Sequence, residues 1–163
     1  GFKGIKICYA GDVYNVCHSL LLGAAMFGMD MSIAAPKGYD VDPTIWKRAQ
    51  EFAAESGSKI EVTQNFDQAL KDADVVYGNT WHSMGENEEQ KEQRIKDWMP
   101  YQINSAAMKK ADKYAIFMHC LPGYIGEDMT EDVKEGPQSV IWDQGENRMH
   151  AVKAILLATC IRS

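Results

Sequence analysis

Short apolar runs alternate along the chain with longer segments in which apolar residues recur every three or four positions. The first pair is typical: Lys6–Ala10 predicts a buried strand, and Asn15–Phe27 predicts a helix with one apolar stripe. Gly28 then marks the end of that helix, since glycine is the usual residue at a left-handed helix terminus. The same alternation continues to the end of the chain.

The remaining elements follow from the same two periodicities. The further predicted strands are Met31–Ala35, Lys59–Thr63, Asp74–Tyr77, Tyr114–Met118 and Ser139–Trp142. The further predicted helices are Pro43–Ser56, Phe66–Ala73, part of the charged segment Glu86–Asp97, Ser105–Ala111, Thr130–Glu135 and Glu146–Cys160. Alternating strands and helices build a mainly parallel sheet with helices on both faces. We therefore expect a three-layer, Rossmann-like α/β domain that spans residues 1–163.

Composition narrows the classes of function. The chain has 163 residues and a formal net charge of -6, without a cluster of basic residues, which argues against a nucleic-acid partner. No apolar run reaches the roughly 18 residues that a membrane span needs. The four cysteines are far apart and form no CxxC pair, so reduced thiols in a cytosol-like compartment are expected, and neither a metal site nor a cofactor is predicted.

Polar residues of unusual type cluster where the predicted strands end. In open α/β sheets, ligands bind beyond the carboxyl ends of the strands, so this clustering predicts a small-molecule site. The residues concerned are Asp12 and Asn15 after strand one, Asn79, His82, Ser83 and Met84 after strand four, His119, Cys120 and Pro122 after strand five, and Asp143, Gln144, Asn147 and Arg148 after strand six.

Three of these residues also have simpler interpretations. Asp12 and Asn15 are good candidates for capping the first helix. Cys120 alone is more typical of a small buried apolar residue than of a nucleophile. The neighbouring His119 does not change this, because adjacent residues of a strand point to opposite faces. A covalent cysteine mechanism is therefore disfavoured.

A dinucleotide-binding domain is the obvious rival for this fold class. Such a domain needs a GxGxxG turn after its first strand, so that the backbone can approach a pyrophosphate closely. Here the turn Gly11–Asn15 (GDVYN) has one glycine and an acidic side chain, which repels phosphate. The chain also lacks a GxxxxGK[ST] loop, so the pattern disfavours a nucleotide site.

Four motifs resemble those of ornithine carbamoyltransferases, in the order in which that family carries them. Together they are specific, although each alone would be weak. They are Gly11–Leu20 (GDVYNVCHSL), Ser83–Gly85 (SMG), His119–Pro122 (HCLP) and Asp143–His150 (DQGENRMH), and the linking pieces Tyr101–Asn104 and Met129–Val133 also match.

The resemblance implies an enzyme of arginine metabolism. Such a transferase moves the carbamoyl group of carbamoyl phosphate to the side-chain amine of L-ornithine, giving citrulline and phosphate, and acts as a trimer of two-domain subunits. The STRTR loop and HPxQ motif of the family's N-terminal, carbamoyl-phosphate domain do not occur here. We therefore expect residues 1–163 to be the ornithine-binding domain alone, inactive by itself, from a cytoplasmic or mitochondrial-matrix enzyme.

The resemblance also implies a role for each matching residue. Asn15 and the backbone at Met84 would bind the amino acid's carboxylate, and Ser83 its α-amino group. Cys120 and the Leu121 carbonyl would orient the attacking amine. Arg148 would reach the carbamoyl phosphate, since a guanidinium suits a phosphate or carbonyl oxygen. Cys120 and Arg148 are thus the expected catalytic residues.

Two positions depart from the family pattern. Asn79 stands where the family usually has an aspartate that holds the α-ammonium, and an amide makes a weaker hydrogen bond to a cation. The segment Gly123–Gly126 (GYIG) lacks the usual basic residue. These departures leave three possibilities: weakened ornithine binding, a different amine substrate, or a non-catalytic module that binds an amino acid or assists assembly.

Overall fold

Five parallel strands form a single sheet, in the order β3-β2-β1-β4-β5. The computed structural model describes residues 1–82 and 88–160. The strands are β1 (Lys6–Ala10), β2 (Asp30–Ala34), β3 (Ile60–Thr63), β4 (Val75–Gly78) and β5 (Ile116–His119). The predicted Rossmann-like α/β fold is confirmed.

The helices alternate with the strands and largely follow the sequence pattern. They are α1 (Asn15–Phe27), α2 (Pro43–Ser56), α3 (Phe66–Leu70), α4 (Glu88–Trp98), α5 (Ser105–Met108), α6 (Glu131–Lys134) and α7 (Ile141–Cys160), and a 3₁₀ turn covers Met99–Tyr101. Both α1 and α2 have the predicted bounds. Each is followed by a left-handed glycine, Gly28 with φ 76° and Gly57 with φ 82°.

The centre of the sheet lies in the core. In β1, the four consecutive residues from Ile7 to Ala10 are all buried, which requires packing on both faces of the strand. By contrast, β3 has no fully buried residue and lies at one edge, as its alternating sequence predicted. Since β2 has the same burial pattern, the sheet is best protected at β1 and β2.

The prediction of a sixth strand at Ser139–Trp142 is wrong. Ser139 makes only an isolated parallel bridge with Phe117, and α7 begins two residues later at Ile141. The three apolar residues Val140–Trp142 are too short a run to distinguish a strand from the start of a buried helix. In the helix, Ile141 is buried whereas Trp142 is 59% exposed and lies under the Lys134 ammonium.

Helix α7 is long and mostly uncovered. From Gly145 to Cys160 every residue is exposed, including the large apolar side chains of Met149, Val152 and Ile155. Across residues 1–82 and 88–160, no helix combines the length and the apolar character that crossing a bilayer would require. The apolar residues of α7 therefore call for another explanation.

Candidate ligand site

A cleft of about 990 Å³ opens over the carboxyl ends of β4 and β5, between α1 and α7. The strand order reverses at β1, so the cleft lies at the position where open α/β sheets bind ligands. Its lining residues are Asn15, Val16, Ser19, Leu20, Tyr77, His119, Cys120, Leu121, Pro122, Ile141, Gln144, Gly145 and Arg148.

A buried imidazole shapes the loop after β5. The His119 Nδ1 atom accepts a 3.0 Å hydrogen bond from the Leu121 backbone N–H, and Leu121 adopts a left-handed φ of 51° before a cis peptide to Pro122. A Cβ atom at Gly78 would lie 2.7 Å from the His119 ring, and one at Gly123 2.9 Å. The two glycines therefore make the space that the ring occupies.

Behind the loop, His119 faces the buried carboxyl of Asp128. Because Nδ1 accepts a hydrogen bond, the ring proton is on Nε2, which lies 3.8 Å from the Asp128 Oδ2 atom, too far for a hydrogen bond. The Asp128 carboxyl accepts the Tyr124 backbone N–H at 3.0 Å. Burial lowers the pKa of His119 to about 4 and raises the pKa of Asp128 to about 7, so both are neutral at mildly acidic pH.

Gln144 connects α7 to two strands. Its Oε1 atom accepts the His119 backbone N–H at 3.0 Å, and its Nε2 atom donates to the Tyr77 hydroxyl at 2.9 Å. Arg148 follows one helical turn later, on the same side of α7. The motif Asp143–His150, which was predicted to follow a strand, thus lies within helix α7. Gln144 and Arg148, two long polar side chains of this helix, both line the cleft.

Asn79 does not line the cleft itself but is hydrogen-bonded to Cys120, which does, and its exposed fraction is 8%. Its Oδ1 atom accepts the Thr80 backbone N–H at 2.9 Å and the Cys120 thiol at 3.0 Å. Its Nδ2 atom donates to the Tyr9 hydroxyl at 3.0 Å, and Tyr9 in turn donates to the Asp12 backbone carbonyl at 2.8 Å. A backbone N–H only donates and a carbonyl only accepts, so these two groups fix the orientation of the amide.

The Cys120 thiol is a donor in this network, not a nucleophile. Burial raises the pKa of Cys120 above its ordinary value, which keeps the proton on sulfur. A protonated thiol that donates to Asn79 suits a role in orienting a ligand. The sequence-based argument against a covalent cysteine mechanism agrees with this environment.

The predicted site residues occupy three kinds of position. Asn15, Cys120, Leu121 and Arg148 line one cleft. Asn79 contacts Cys120 from behind and does not line the cleft itself. Ser83 and Met84 lie outside the described residues.

The sequence motifs assign no role to three polar residues that line the cleft, Ser19, Tyr77 and Gln144, although Gln144 is among the polar residues of the predicted site. Ser19 was detectable, because it lies four residues after Asn15 on the predicted helix and thus on the same face. Gln144 stood among the polar residues of the last motif but was given no role. Tyr77 was hidden within an apolar strand, where nothing distinguishes its hydroxyl from a core side chain.

Asp12 does not cap α1. The helix has no side-chain cap, and the Asp12 carboxylate pairs with Arg94. The Arg94 Nε atom also donates to the Trp81 carbonyl at 2.6 Å, so the pair links the loop after β1 to the loop after β4 and to α4. The capping interpretation is therefore wrong for Asp12, whose part is to join the loops around the site.

The chain is thus a parallel α/β domain with a partly polar cleft at the carboxyl edge of its sheet. Residues 3–159 match the family model described as aspartate/ornithine carbamoyltransferase, Asp/Orn binding domain. Because that match covers almost the whole chain, the chain belongs to the aspartate/ornithine carbamoyltransferase family.

Individual relatives agree with this assignment. The ornithine carbamoyltransferase of Caldicellulosiruptor saccharolyticus is 48% identical over 98% of this chain and 51% of its own length. The ornithine carbamoyltransferase structure from Pyrococcus furiosus is 46% identical with a TM-score of 0.90, covering 96% of this chain and 50% of that one. A mutant N-acetyl-L-ornithine transcarbamylase is 29% identical with a TM-score of 0.84, covering 96% and 49%. The chain spans about half the length of the curated relatives it matches.

Proposed function

We propose that this chain is the amino-acid-binding half of a carbamoyltransferase. The reaction transfers the carbamoyl group of carbamoyl phosphate to the side-chain amine of ornithine or a close derivative, giving citrulline or its counterpart and phosphate. One observation carries the proposal: Asn15, Cys120, Leu121 and Arg148, which come from three distant motifs, line the same cleft. Family membership indicates the type of reaction. Because the homologues include an ornithine carbamoyltransferase and an N-acetyl-L-ornithine transcarbamylase, the choice of acceptor has to be argued from the residues of the cleft.

The chemistry suits the groups at hand. The amine must be neutral to attack the carbamoyl carbon; a C–N bond then forms, the C–O bond to phosphate breaks, and the amine loses a proton. A thiol and a carbonyl, such as Cys120 and Leu121, accept or share hydrogen bonds without the full negative charge that would favour an ammonium. Arg148 would bind the carbamoyl phosphate, and Asn15 the acceptor's carboxylate.

A second domain would complete the site. The uncovered apolar side chains of α7 support this: Ile155, Leu156 and Leu157 are all more than half exposed, and large apolar side chains exposed together are typical of an interaction surface. We propose that α7 packs against the domain that holds carbamoyl phosphate, and that the two-domain subunits assemble as a trimer. Light scattering on the two-domain protein would measure the number of subunits.

The decisive experiment joins this chain to the carbamoyl-phosphate half of a relative and measures carbamoylation of ornithine and of Nα-acetylornithine. Product from either acceptor supports the proposal. A folded chimera that carbamoylates neither would favour the alternative, a non-catalytic module. Circular dichroism and a cooperative thermal transition would establish that the chimera is folded.

In the same chimera, Arg148→Ala should reduce kcat/KM by about 10- to 150-fold, since a hydrogen bond to a charged group contributes about 1.5–3 kcal/mol. Lys47→Ala, at an exposed position of α2, is the matched control and should stay within twofold of the parent. Equal activity of the Arg148 variant and the parent would exclude the proposed role.

A further inference from the structure

The described lining of the cleft carries one formal charge. Among its residues only Arg148 is charged, since burial lowers the pKa of His119 to about 4 and raises the pKa of Tyr77 to about 12. No carboxylate of residues 1–82 and 88–160 lines the cleft. A cationic group on a ligand therefore has no counter-ion in the described lining, whereas an anionic group has Arg148.

Three acids on the loops after β1 and β5 are already engaged. Asp12 pairs with Arg94, and Glu127 pairs with His82 at 3.0 Å. Asp128 is 1% exposed, accepts the backbone N–H of Tyr124 and lies behind His119. Each would have to break a contact to approach an ammonium in the cleft.

The amide behind the cleft wall has no acceptor to spare. Both lone pairs of the Asn79 Oδ1 atom are used, one by Thr80 and one by Cys120. One Nδ2 hydrogen is donated to the Tyr9 hydroxyl. Within the described structure, the second Nδ2 hydrogen is therefore the hydrogen-bonding group of Asn79 that remains for a ligand. An ammonium needs acceptors, but this group can only donate, and a donor suits the carbonyl oxygen of an acyl group.

From this arrangement we infer that the amine acceptor is a diamino acid whose α-nitrogen is uncharged, as in an Nα-acyl derivative of ornithine, and that Asn79 determines this specificity. The inference rests on the proposed function and names the substrate class of the same site. With the α-nitrogen acylated, the ligand loses the cation for which the described lining has no counter-ion, and it gains a carbonyl oxygen that the remaining Asn79 N–H can bind.

Calorimetric titration of the chain with ornithine and with Nα-acetylornithine tests the inference, because the two ligands differ only at the α-nitrogen. We expect Nα-acetylornithine to bind at least tenfold more tightly. Equal or tighter binding of ornithine would overturn the inference while leaving the proposed function in place. Binding of neither ligand would count against both, since the proposed function requires an amino-acid site.

Asn79→Asp should reverse the preference by placing an acceptor and a negative charge behind Cys120. Asn65→Asp is the matched control: Asn65 caps α3 through a 3.1 Å bond from the Gln68 N–H, which aspartate can also accept, so the ligand preference should not change. An unchanged preference in a folded Asn79→Asp protein would overturn the role of Asn79. If this variant unfolds because the carboxylate opposes the Tyr9 oxygen, Tyr9→Phe combined with Asn79→Asp removes that conflict.

Discussion

At the level of single residues, His119 and Asp128 form a buried pair whose titrations oppose each other. The pKa of Asp128 is raised from 3.8 to about 7, so its contribution to stability is complete below pH 3.8 and is lost as the pH rises toward 7. The pKa of His119 is lowered from 6.5 to about 4, so its contribution is present above pH 6.5 and is lost as the pH falls toward 4. Between these limits the two slopes largely cancel.

Asp128→Asn should remove one of these two opposing pH dependences and leave that of His119 visible. Burial alone accounts for the lowered pKa of His119, so that shift should persist in the variant. The free energy of unfolding of the variant minus that of the parent should then rise from about pH 4 to pH 7, by up to about 1.4 kcal/mol per pH unit. Urea denaturation at a series of pH values measures this difference.

Asp40→Asn, at an exposed position, is the control for the same chemical change. The difference for Asp128→Asn should rise with pH more steeply than the difference for this control. A flat difference for Asp128→Asn would mean that Asp128 is ionised in the folded protein throughout this range.

At the level of elements, Gly11 is where β1 and β4 come closest beyond the sheet. Its φ is 151°, and a Cβ atom there would lie 2.4 Å from the Asn79 carbonyl oxygen, a backbone atom that cannot move aside. Gly11→Ala should therefore destabilise the protein by about 2–4 kcal/mol, as backbone strain and overpacking combine. Thermal or urea denaturation would measure the loss.

Gly23→Ala is the matched control, because Gly23 lies within α1 and a Cβ atom there meets nothing within 4 Å. Alanine has the higher helix propensity, so this change should stabilise the protein by about 0.5–1 kcal/mol. The two glycine-to-alanine changes should thus shift the free energy of unfolding in opposite directions. A mild effect at Gly11 would show that the loops after β1 and β4 can separate.

Periodicity predicted most of the elements, and its failures have physical causes. The bounds of β1, α1 and α2 follow directly from apolar runs and glycine or proline signals. Helix α3 stops at Leu70 and not at Ala73, because Asp72 adopts a left-handed φ of 58°, which no pattern of apolar residues can indicate. The start of α7 was missed since a short β-branched run fits a strand and a buried helix end equally well.

The position of the site was predictable, but its hydrogen bonds were not. The rule that ligands bind at the carboxyl ends of strands predicts from the sequence that Asn15, Cys120 and Arg148 lie at one edge of the sheet. Whether Asn79 faces a ligand or supports Cys120 depends on side-chain directions that the sequence does not contain. The same holds for Tyr77. Only its hydrogen bond with Gln144, from a helix distant in sequence, shows that its hydroxyl belongs to the polar wall of the cleft and not to the core.

At the level of the whole molecule, α7 has a buried first residue and a long exposed remainder. If a second domain covers this helix, its backbone amides from Gly145 onward should exchange hydrogen rapidly in the chain alone and slowly in the two-domain chimera. Hydrogen exchange followed by mass spectrometry would measure both proteins. The peptide that covers α1 serves as an internal control and should change little.

Similar protection of α7 in the two proteins would contradict the proposed packing. Replacing Ile155 and Leu156 together by lysine gives a second test, because both side chains are more than half exposed in this chain. The double variant should leave the stability of the chain alone within about 0.5 kcal/mol, the usual range for surface changes. It should, however, weaken the chimera, as charged groups are costly in an apolar interface.

The strand order also governs when the cleft can form. Every neighbouring pair of strands is parallel, so no pair can form from a tight hairpin, and β1 pairs with β2 only after residues 11–29 have closed a loop. Its pairing with β4 encloses residues 11–74 and is entropically more costly. During synthesis β1, β2 and β3 leave the ribosome before β4 and β5. We therefore expect a nascent chain to assemble one half of its sheet early and to acquire the ability to bind its ligand only at the end of folding.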